Sequence, residues 1–205
     1  MIKTFEQFNN QDIDAISKEY NIKGYTIRED GKVDVNGSVY LDNKNLTKLP
    51  LDFGIVNGIF DCSGNKLTNL EGSPEKVLEH FWCNDNYLTS LEGALEYVGG
   101  DFDCYDNNLT SLYNVPKYIV RIIDVRYNKI LDVKGLVSCK FGILNEGDNP
   151  IYSIIKDIDD LEHFYLINPL NGNKLSRSLY DEVREYFELP EFDYSTLHKD
   201  IELID

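Results

Sequence analysis

The chain has 205 residues, of which 42% are hydrophobic, and its 36 acidic against 20 basic side chains give a formal net charge of -16. This length suits one domain or one short repeat array. Binding of nucleic-acid phosphate relies on Lys and Arg, so the excess of carboxylates argues against a surface that binds nucleic acid directly. The same charge keeps a protein soluble or steers it toward a basic partner.

The N-terminus MIKTFEQFNNQDID lacks a basic n-region and an apolar h-region, so it predicts no secretory signal. No apolar run approaches the roughly 18 residues that a membrane span requires. Cys62, Cys83 and Cys104 are 21 residues apart, which is unlike the short spacing of paired metal-ligating cysteines. We therefore expect a cytoplasmic protein with buried, reduced thiols and no membrane contact.

Residues 1–36 depart from the repeat that follows them and predict an N-terminal cap. Ile13, Ile16 and Tyr20 recur at helical spacing, so residues 12–20 predict an amphipathic helix. Residues 25–27 and 32–35 predict two short strands, because a turn sequence lies between them. Such an element covers the core that the first repeat of a solenoid would otherwise expose.

Residues 37–156 repeat one pattern with a period of 21 residues. The middle copies share F-x-C-x-x-N-x-L-T-x-L, and six copies align without a gap. A fixed period of about 20 to 29 residues with this spacing is the signature of a leucine-rich repeat. The anchor residue of each copy is Leu46, Leu67, Leu88, Leu109, Ile130 or Ile151.

Each position of the repeat has a physical explanation. Alternate residues of F-x-C lie on one side of a short parallel strand, so Phe and Cys enter the core and the residue between them faces outward. The Asn turns the chain, and its amide satisfies backbone groups that the turn leaves unpaired. The remaining half is rich in Gly and Pro and predicts turns or extended connections. The resulting ladder consists of Asn65, Asn86, Asn107, Asn128 and Asn149.

Residues 157–205 predict a C-terminal cap. Residues 157–164 predict a short helix, residues 167–172 a loop, and residues 176–188 a second helix with a serine cap. The acidic residues 192–205 are expected to be loosely held. The predicted apolar stripe of the second helix is Leu179, Val183, Tyr186 and Phe187.

These segments together predict an α/β repeat solenoid. We expect a leucine-rich-repeat horseshoe segment with a parallel β-sheet on its concave face. The array spans residues 37–156, and helical and β elements cap it at residues 1–36 and 157–205. Such an array offers a rigid surface for a partner and leaves its oligomeric state open.

Two units, CSGNKLTNLEGSPEKV and CYDNNLTSL, resemble the short leucine-rich repeats in proteins of tailed bacteriophages and giant viruses. Residues 25–50 resemble the N-terminal cap of that family, and residues 149–157 resemble its array exit. The resemblance covers roughly residues 20 to 157. It implies a non-enzymatic phage protein that binds and inhibits a protein of the bacterial host, such as a protein of antiviral defence.

The outward strand positions and the adjoining rim predict the partner-binding surface. They combine carboxylates with Trp and Tyr, a composition typical of binding hot spots. Nothing in the repeat requires the single Trp of the chain at an outward position. The predicted binding residues of the concave face are Tyr40, Asp61, Trp82, Asp103, Asp124, Asn84, Tyr105, Arg126, Asp85 and Asp106.

Other interpretations of the same residues predict different chemistry. The acidic face could imitate nucleic acid and act as a decoy for a DNA- or RNA-binding protein. The concave carboxylates, Asp103 and Asp124 among them, could hold a divalent cation in a metal-dependent enzyme. No pair of nucleophile and base and no metal-ligand spacing supports that reading, so we expect no catalytic residue, metal or cofactor.

Overall fold

The computed structural model describes residues 10–145, 147, 149–155, 169–171 and 173–204. These residues form a mostly parallel β-solenoid of about five turns with few helices. Two six-stranded sheets enclose the core, and a three-stranded sheet lies near the C-terminus. The prediction of a repeat solenoid is therefore confirmed.

The N-terminal elements lie where the sequence predicts them. Helix α1 spans Asn10–Glu19 and buries Ile13, because one side of the helix packs on the core. Strand β1 (Tyr25–Ile27) pairs antiparallel with β2 (Val33–Val35). Strand β2 in turn pairs with the first repeat strand of the same sheet, so this hairpin extends the sheet at its N-terminal end.

The back half of each repeat forms strands rather than turns alone. With β1 and β2 they build sheet I, in which the repeat strands are parallel. Val56 and its equivalents in the next three repeats are buried, and this regular inward residue brings the backbones into register. The repeat strands of sheet I are β4 (Phe53–Val56), β6 (Lys76–Val77), β8 (Tyr97–Val98) and β10 (Tyr118–Ile119).

The F-x-C segments and their equivalents form sheet II, a parallel sheet of six strands as the sequence predicts. Adjacent strands pair at an offset of 21 residues, for example Phe60 with Phe81. The strands of sheet II are β3 (Val39–Tyr40), β5 (Phe60–Asp61), β7 (Phe81–Trp82), β9 (Phe102–Asp103), β11 (Ile122–Asp124) and β12 (Ile143–Asn145).

The core between the two sheets repeats the same contacts from turn to turn. The Phe60, Phe81 and Phe102 rings stack with centroids 5.5 Å apart, close to the strand spacing. The cysteine of the F-x-C segment and the anchor leucine are fully buried beside them. Burial of each Phe or Leu side chain contributes about 1.5–3 kcal/mol to the free energy of folding. The same contribution therefore recurs in each of these repeats.

The C-terminal part differs from the prediction in two places. Residues 170–171 of the predicted loop form strand β13 (Leu170–Asn171), which pairs with β14 (Lys174–Ser176). The tail is not loosely held, because Phe192 and Ile201 are buried and β15 (Glu202–Ile204) pairs with β14. The predicted helix at residues 157–164 lies outside the described residues.

Two helices accompany these strands. Helix α2 spans Tyr152–Ile155, and α3 spans Arg177–Tyr186 with the Ser176 hydroxyl accepting a hydrogen bond from the Leu179 amide. The predicted stripe of α3 is partly wrong, because Leu179 and Tyr186 are exposed while Tyr180 is buried. The Tyr180 ring packs edge-on against Phe192 of the tail, a contact that the helix sequence alone does not show.

Candidate partner-binding face

The outward residues of sheet II lie side by side across the strands. Strand register pairs Tyr40 with Asp61, Asp61 with Trp82, and Trp82 with Asp103. The same row continues from Asp103 to Asp124 on the next strand. Strands in a sheet are about 4.8 Å apart, so these side chains form one continuous row across the sheet.

Members of this row differ in how far solvent reaches them. Tyr40 is 52% exposed, and Trp82 and Asp103 are half-buried. Asp61 and Asp124 were expected to be accessible, but they are only 9% and 8% exposed. Hydrogen bonds to residues two positions later hold both carboxylates against the sheet, so the accessible surface is smaller than the sequence indicates.

The aspartates of this row have a role within the repeat. Asp61 Oδ1 accepts a hydrogen bond from the Ser63 amide at 3.0 Å, and Asp103 Oδ1 accepts one from the Tyr105 amide at 3.2 Å. Asp124 does the same for the Arg126 amide at 3.2 Å. Each bond satisfies a backbone N–H group where the strand ends. Tyr40 and Trp82 occupy the equivalent position with side chains that cannot accept this bond.

The rim next to the strands imposes a backbone constraint. Five successive repeats place one residue there in the left-handed region, with φ between 50° and 64°. Asn, Asp and Gly tolerate this conformation, whereas other side chains are strained in it. Tyr127 is therefore the exception in this series, and its side chain is 57% exposed. The rim residues are Asn43, Gly64, Asp85, Asp106 and Tyr127.

Asn84, Tyr105 and Arg126 form the next outward row. Asn84 Nδ2 donates to Asp85 Oδ2 at 2.5 Å, and the Asp85 amide donates to the Tyr105 carbonyl at 3.1 Å. The Arg126 guanidinium binds both carboxylate oxygens of Asp124, with Nε–Oδ1 at 2.9 Å and Nη2–Oδ2 at 2.6 Å. Arg126 therefore neutralises a carboxylate of the face.

The structure adds a further row that the predicted binding residues do not include, although His80 was expected at a strand edge beside the concave rim. It precedes the buried Phe position by one residue and includes His80, Asp101 and Ile143. His80 Nδ1 lies 3.1 Å from Asp101 Oδ2, and its ring centroid is 5.6 Å from that of Trp82. Ile143 is 59% exposed. The period-two alternation of the strand, extended one residue toward the N-terminus, would have predicted this row.

Asp103 is electrostatically the most perturbed carboxylate of the face. Burial raises the pKa of Asp103 to about 6, and the negative charges of Asp124 and Asp85 act in the same direction. The hydrogen bond from the Tyr105 amide and the charge of Arg126 oppose this shift. Asp103 thus holds a negative charge near neutral pH at a cost that its own surroundings do not offset.

The asparagine ladder lies directly behind this face. Asn107 Oδ1 accepts a hydrogen bond from the Leu88 amide of the preceding repeat at 2.9 Å. Its Nδ2 donates to the Cys83 and Cys104 carbonyls, both at 3.1 Å. Each amide therefore joins two repeats and fixes the turn at the end of the strand. The same pattern recurs at Asn65, Asn86, Asn128 and Asn149.

The described residues provide little for metal or thiol chemistry. No group of three or more His, Cys, Asp or Glu side chains among them could hold a metal ion. Cys62, Cys83 and Cys104 are fully buried, and burial raises the pKa of the Cys62 thiol far above its usual range. Burial also raises the pKa of Cys139 to about 11. No helix of the described part of the chain is long and apolar enough to cross a membrane.

Comparison with protein-family models, with curated proteins and with solved structures finds no match for this chain.

Proposed function

We propose that this chain is a leucine-rich-repeat protein that acts as a non-enzymatic protein-binding module. The outer face of sheet II is its binding surface and corresponds to the concave side of the repeat horseshoe. One observation carries the proposal: aromatic residues replace the residue types that the repeat favours at two outward positions. Tyr40 and Trp82 stand where Asp accepts a backbone amide in other repeats, and Tyr127 stands at the rim position whose backbone favours Asp, Asn or Gly. Large aromatic side chains at such positions have no role in the repeat that would account for them.

The dimensions and composition of the face suit a protein partner. Six strands at about 4.8 Å span about 25 Å, comparable with the edge, about 28 Å, of a square patch of the roughly 800 Å² that each partner contributes to a standard interface. Trp, Tyr and Arg are the residue types that most often dominate binding energy. Trp82 lies on β7 and Tyr105 follows the end of the adjacent strand β9, both near the middle of the sheet, where hot spots concentrate.

The resemblance of the repeats to those of tailed-phage proteins supports a bacterial host protein as the partner. On this proposal the chain acts in the host cytoplasm, and occupation of the partner's surface inhibits it. The acidic composition also suits a decoy that imitates nucleic acid, and competition by DNA distinguishes that case.

Affinity capture with matched variants tests the proposal. The wild-type chain and the double variant Trp82→Ala/Tyr105→Ala are immobilised on separate resins, and each resin is incubated with a bacterial lysate. The double variant Tyr97→Ala/Tyr118→Ala serves as control, because these two tyrosines are neighbours on the outer side of sheet I. We expect a stoichiometric partner on the wild type and the control that the sheet II variant loses. Equal capture by all three proteins, or release by duplex DNA, would contradict the proposal.

A further inference from the structure

The geometry points to a basic segment of the partner as the occupant of the outer face of sheet II. A Lys or Arg side chain of that segment would lie against the Trp82 and Tyr105 rings, next to Asp103. This inference rests on the proposed function and specifies the chemistry of the partner.

The strand register brings two rings and two carboxylates together. Trp82 on β7 pairs laterally with Asp103 on β9, and Tyr105 follows Asp103 by two residues, just beyond the end of β9. Burial raises the pKa of Tyr105, and a side-chain hydrogen bond with Asp85 acts in the same direction, so the Asp85 carboxylate lies beside the Tyr105 hydroxyl. A cation at this point meets ring faces and carboxylate oxygens within about one strand spacing.

The carboxylates at this point lack cationic partners on the face. Arg126 binds Asp124, and His80 and Arg121 lie beside Asp101 at 3.1 and 3.6 Å. Among the described residues, no ion pair joins a Lys or Arg to Asp61, Asp85, Asp103 or Asp106. Arg126 offsets part of the negative charge at Asp103 without an ion pair to it, and the remaining negative charge of the face is available to an incoming cation.

Rings and carboxylates together select a cation over other occupants. The faces of Trp and Tyr rings attract Lys and Arg, and a nearby carboxylate adds a charge-assisted hydrogen bond. An acidic segment would meet like charges at Asp85 and Asp103, and such juxtaposition rejects partners. A purely apolar segment would bury the Asp103 carboxylate without compensation.

Asp103 supports the same conclusion independently of the rings. Its charge is disfavoured by burial and by Asp124 and Asp85, and the residue nevertheless keeps a carboxylate where an amide would make the same bond to the Tyr105 N–H. A cation bound at the outer face beside Asp103 would stabilise the charged carboxylate and so offset the free-energy cost of its burial. The arrangement thus resembles a binding site that is costly when empty.

Fluorescence provides a direct test, because Trp82 is the single tryptophan of the chain. The full chain is titrated at pH 7.5 and low salt with a peptide of alternating Arg and Gly residues, and separately with a Glu and Gly peptide. We expect a saturable change in Trp82 emission with the Arg peptide alone. In Asp103→Asn the dissociation constant for the Arg peptide should rise about tenfold, corresponding to one lost charge contact.

Glu92→Gln is the matched control, since it removes one negative charge from an exposed residue outside the face. Equal weakening by Glu92→Gln and Asp103→Asn, or no saturable change with the Arg peptide, would overturn the inference. The proposed function is tested separately by capture. A partner that is lost with Trp82→Ala/Tyr105→Ala but bound equally by Asp103→Asn would leave that function standing and refute the basic segment.

Discussion

Asp103 destabilises the free protein at neutral pH. Because its folded pKa of about 6 exceeds the ordinary value of 3.8, the folded chain binds more protons than the unfolded chain between these values. Its contribution to stability therefore falls as pH rises from about 4 to about 6 and stays low above that range. Asp124 and Asp85 strengthen this effect, and Arg126 weakens it.

Asp103→Asn should consequently stabilise the protein at pH 7.5. The amide retains the bond from the Tyr105 N–H and removes the charge. With allowance for partial exposure of the side chain, we expect a gain of about 1 kcal/mol, or about 2–4 °C in Tm. At about pH 3, below both pKa values, the carboxyl is largely neutral in the folded and in the unfolded chain, and thermal unfolding should show little difference. A variant that is less stable at pH 7.5 would contradict this account of Asp103.

Tyr127 is strained in the free protein. Its φ of 54° lies in the left-handed region, which costs a residue of this type roughly 1–2 kcal/mol, and its exposed ring recovers little by packing. Tyr127→Asn should therefore raise the free energy of unfolding by about 0.5–1 kcal/mol in a urea titration. Tyr113→Asn, at an exposed tyrosine without positive φ, should bring no such gain. Equal effects of both substitutions would rule out backbone strain.

Individual residues of the outer face of sheet II were predictable from the sequence only in part. The period-two alternation of a strand indicates that Tyr40, Trp82 and Tyr105 lie on one side. It does not show that Asp61 is bonded to the Ser63 amide or that Asp85 has positive φ, since both depend on backbone geometry. A signal for the rim was nevertheless present. Asn, Gly and Asp recur at that position, and these residue types favour the left-handed region.

At the scale of the element, the asparagine ladder accounts for the cohesion of successive repeats. Asn107→Leu removes hydrogen bonds from the Leu88 amide and to the Cys83 and Cys104 carbonyls, all inside the core. An unpaired buried group costs about 1–3 kcal/mol, so chemical denaturation should show at least that loss. Asn108→Leu is the control, because Asn108 makes a solvent-exposed bond to Lys129 Nζ. An unchanged midpoint for Asn107→Leu would refute the structural role of the ladder.

Elements were predictable where an internal pattern defines them. The F-x-C alternation identifies the strands of sheet II, and helical spacing identifies α1. The repeat strands of sheet I lack a motif of comparable regularity in their Gly- and Pro-rich surroundings, so their pairing depends on neighbouring repeats. Strand β15 and the buried side of α3 depend on contacts between distant segments, such as Tyr180 with Phe192. No local pattern encodes those contacts.

In the molecule as a whole, the repeated residues form the buried scaffold, and the residues that vary between repeats form the surface. The 21-residue period predicts a solenoid because each repeat can bury its apolar side only against its neighbours, and the two stacked sheets realise this. The acidic charge of the chain then acts at long range. For the basic partner inferred above, this charge should accelerate association, and the effect should weaken as salt screens it. Neither the period nor the net charge specifies the aromatic positions of the proposed binding face.

On the proposed function, binding depends on the residues that depart from the repeat. The most direct measurement is the dissociation constant of the captured partner for Trp82→Ala/Tyr105→Ala and for the control Tyr97→Ala/Tyr118→Ala. Truncation of two hot-spot residues costs at least about 2–3 kcal/mol, so the first variant should bind about a hundredfold more weakly than the wild type, and the control should bind as the wild type does. Equal dissociation constants for the two variants would contradict the claim.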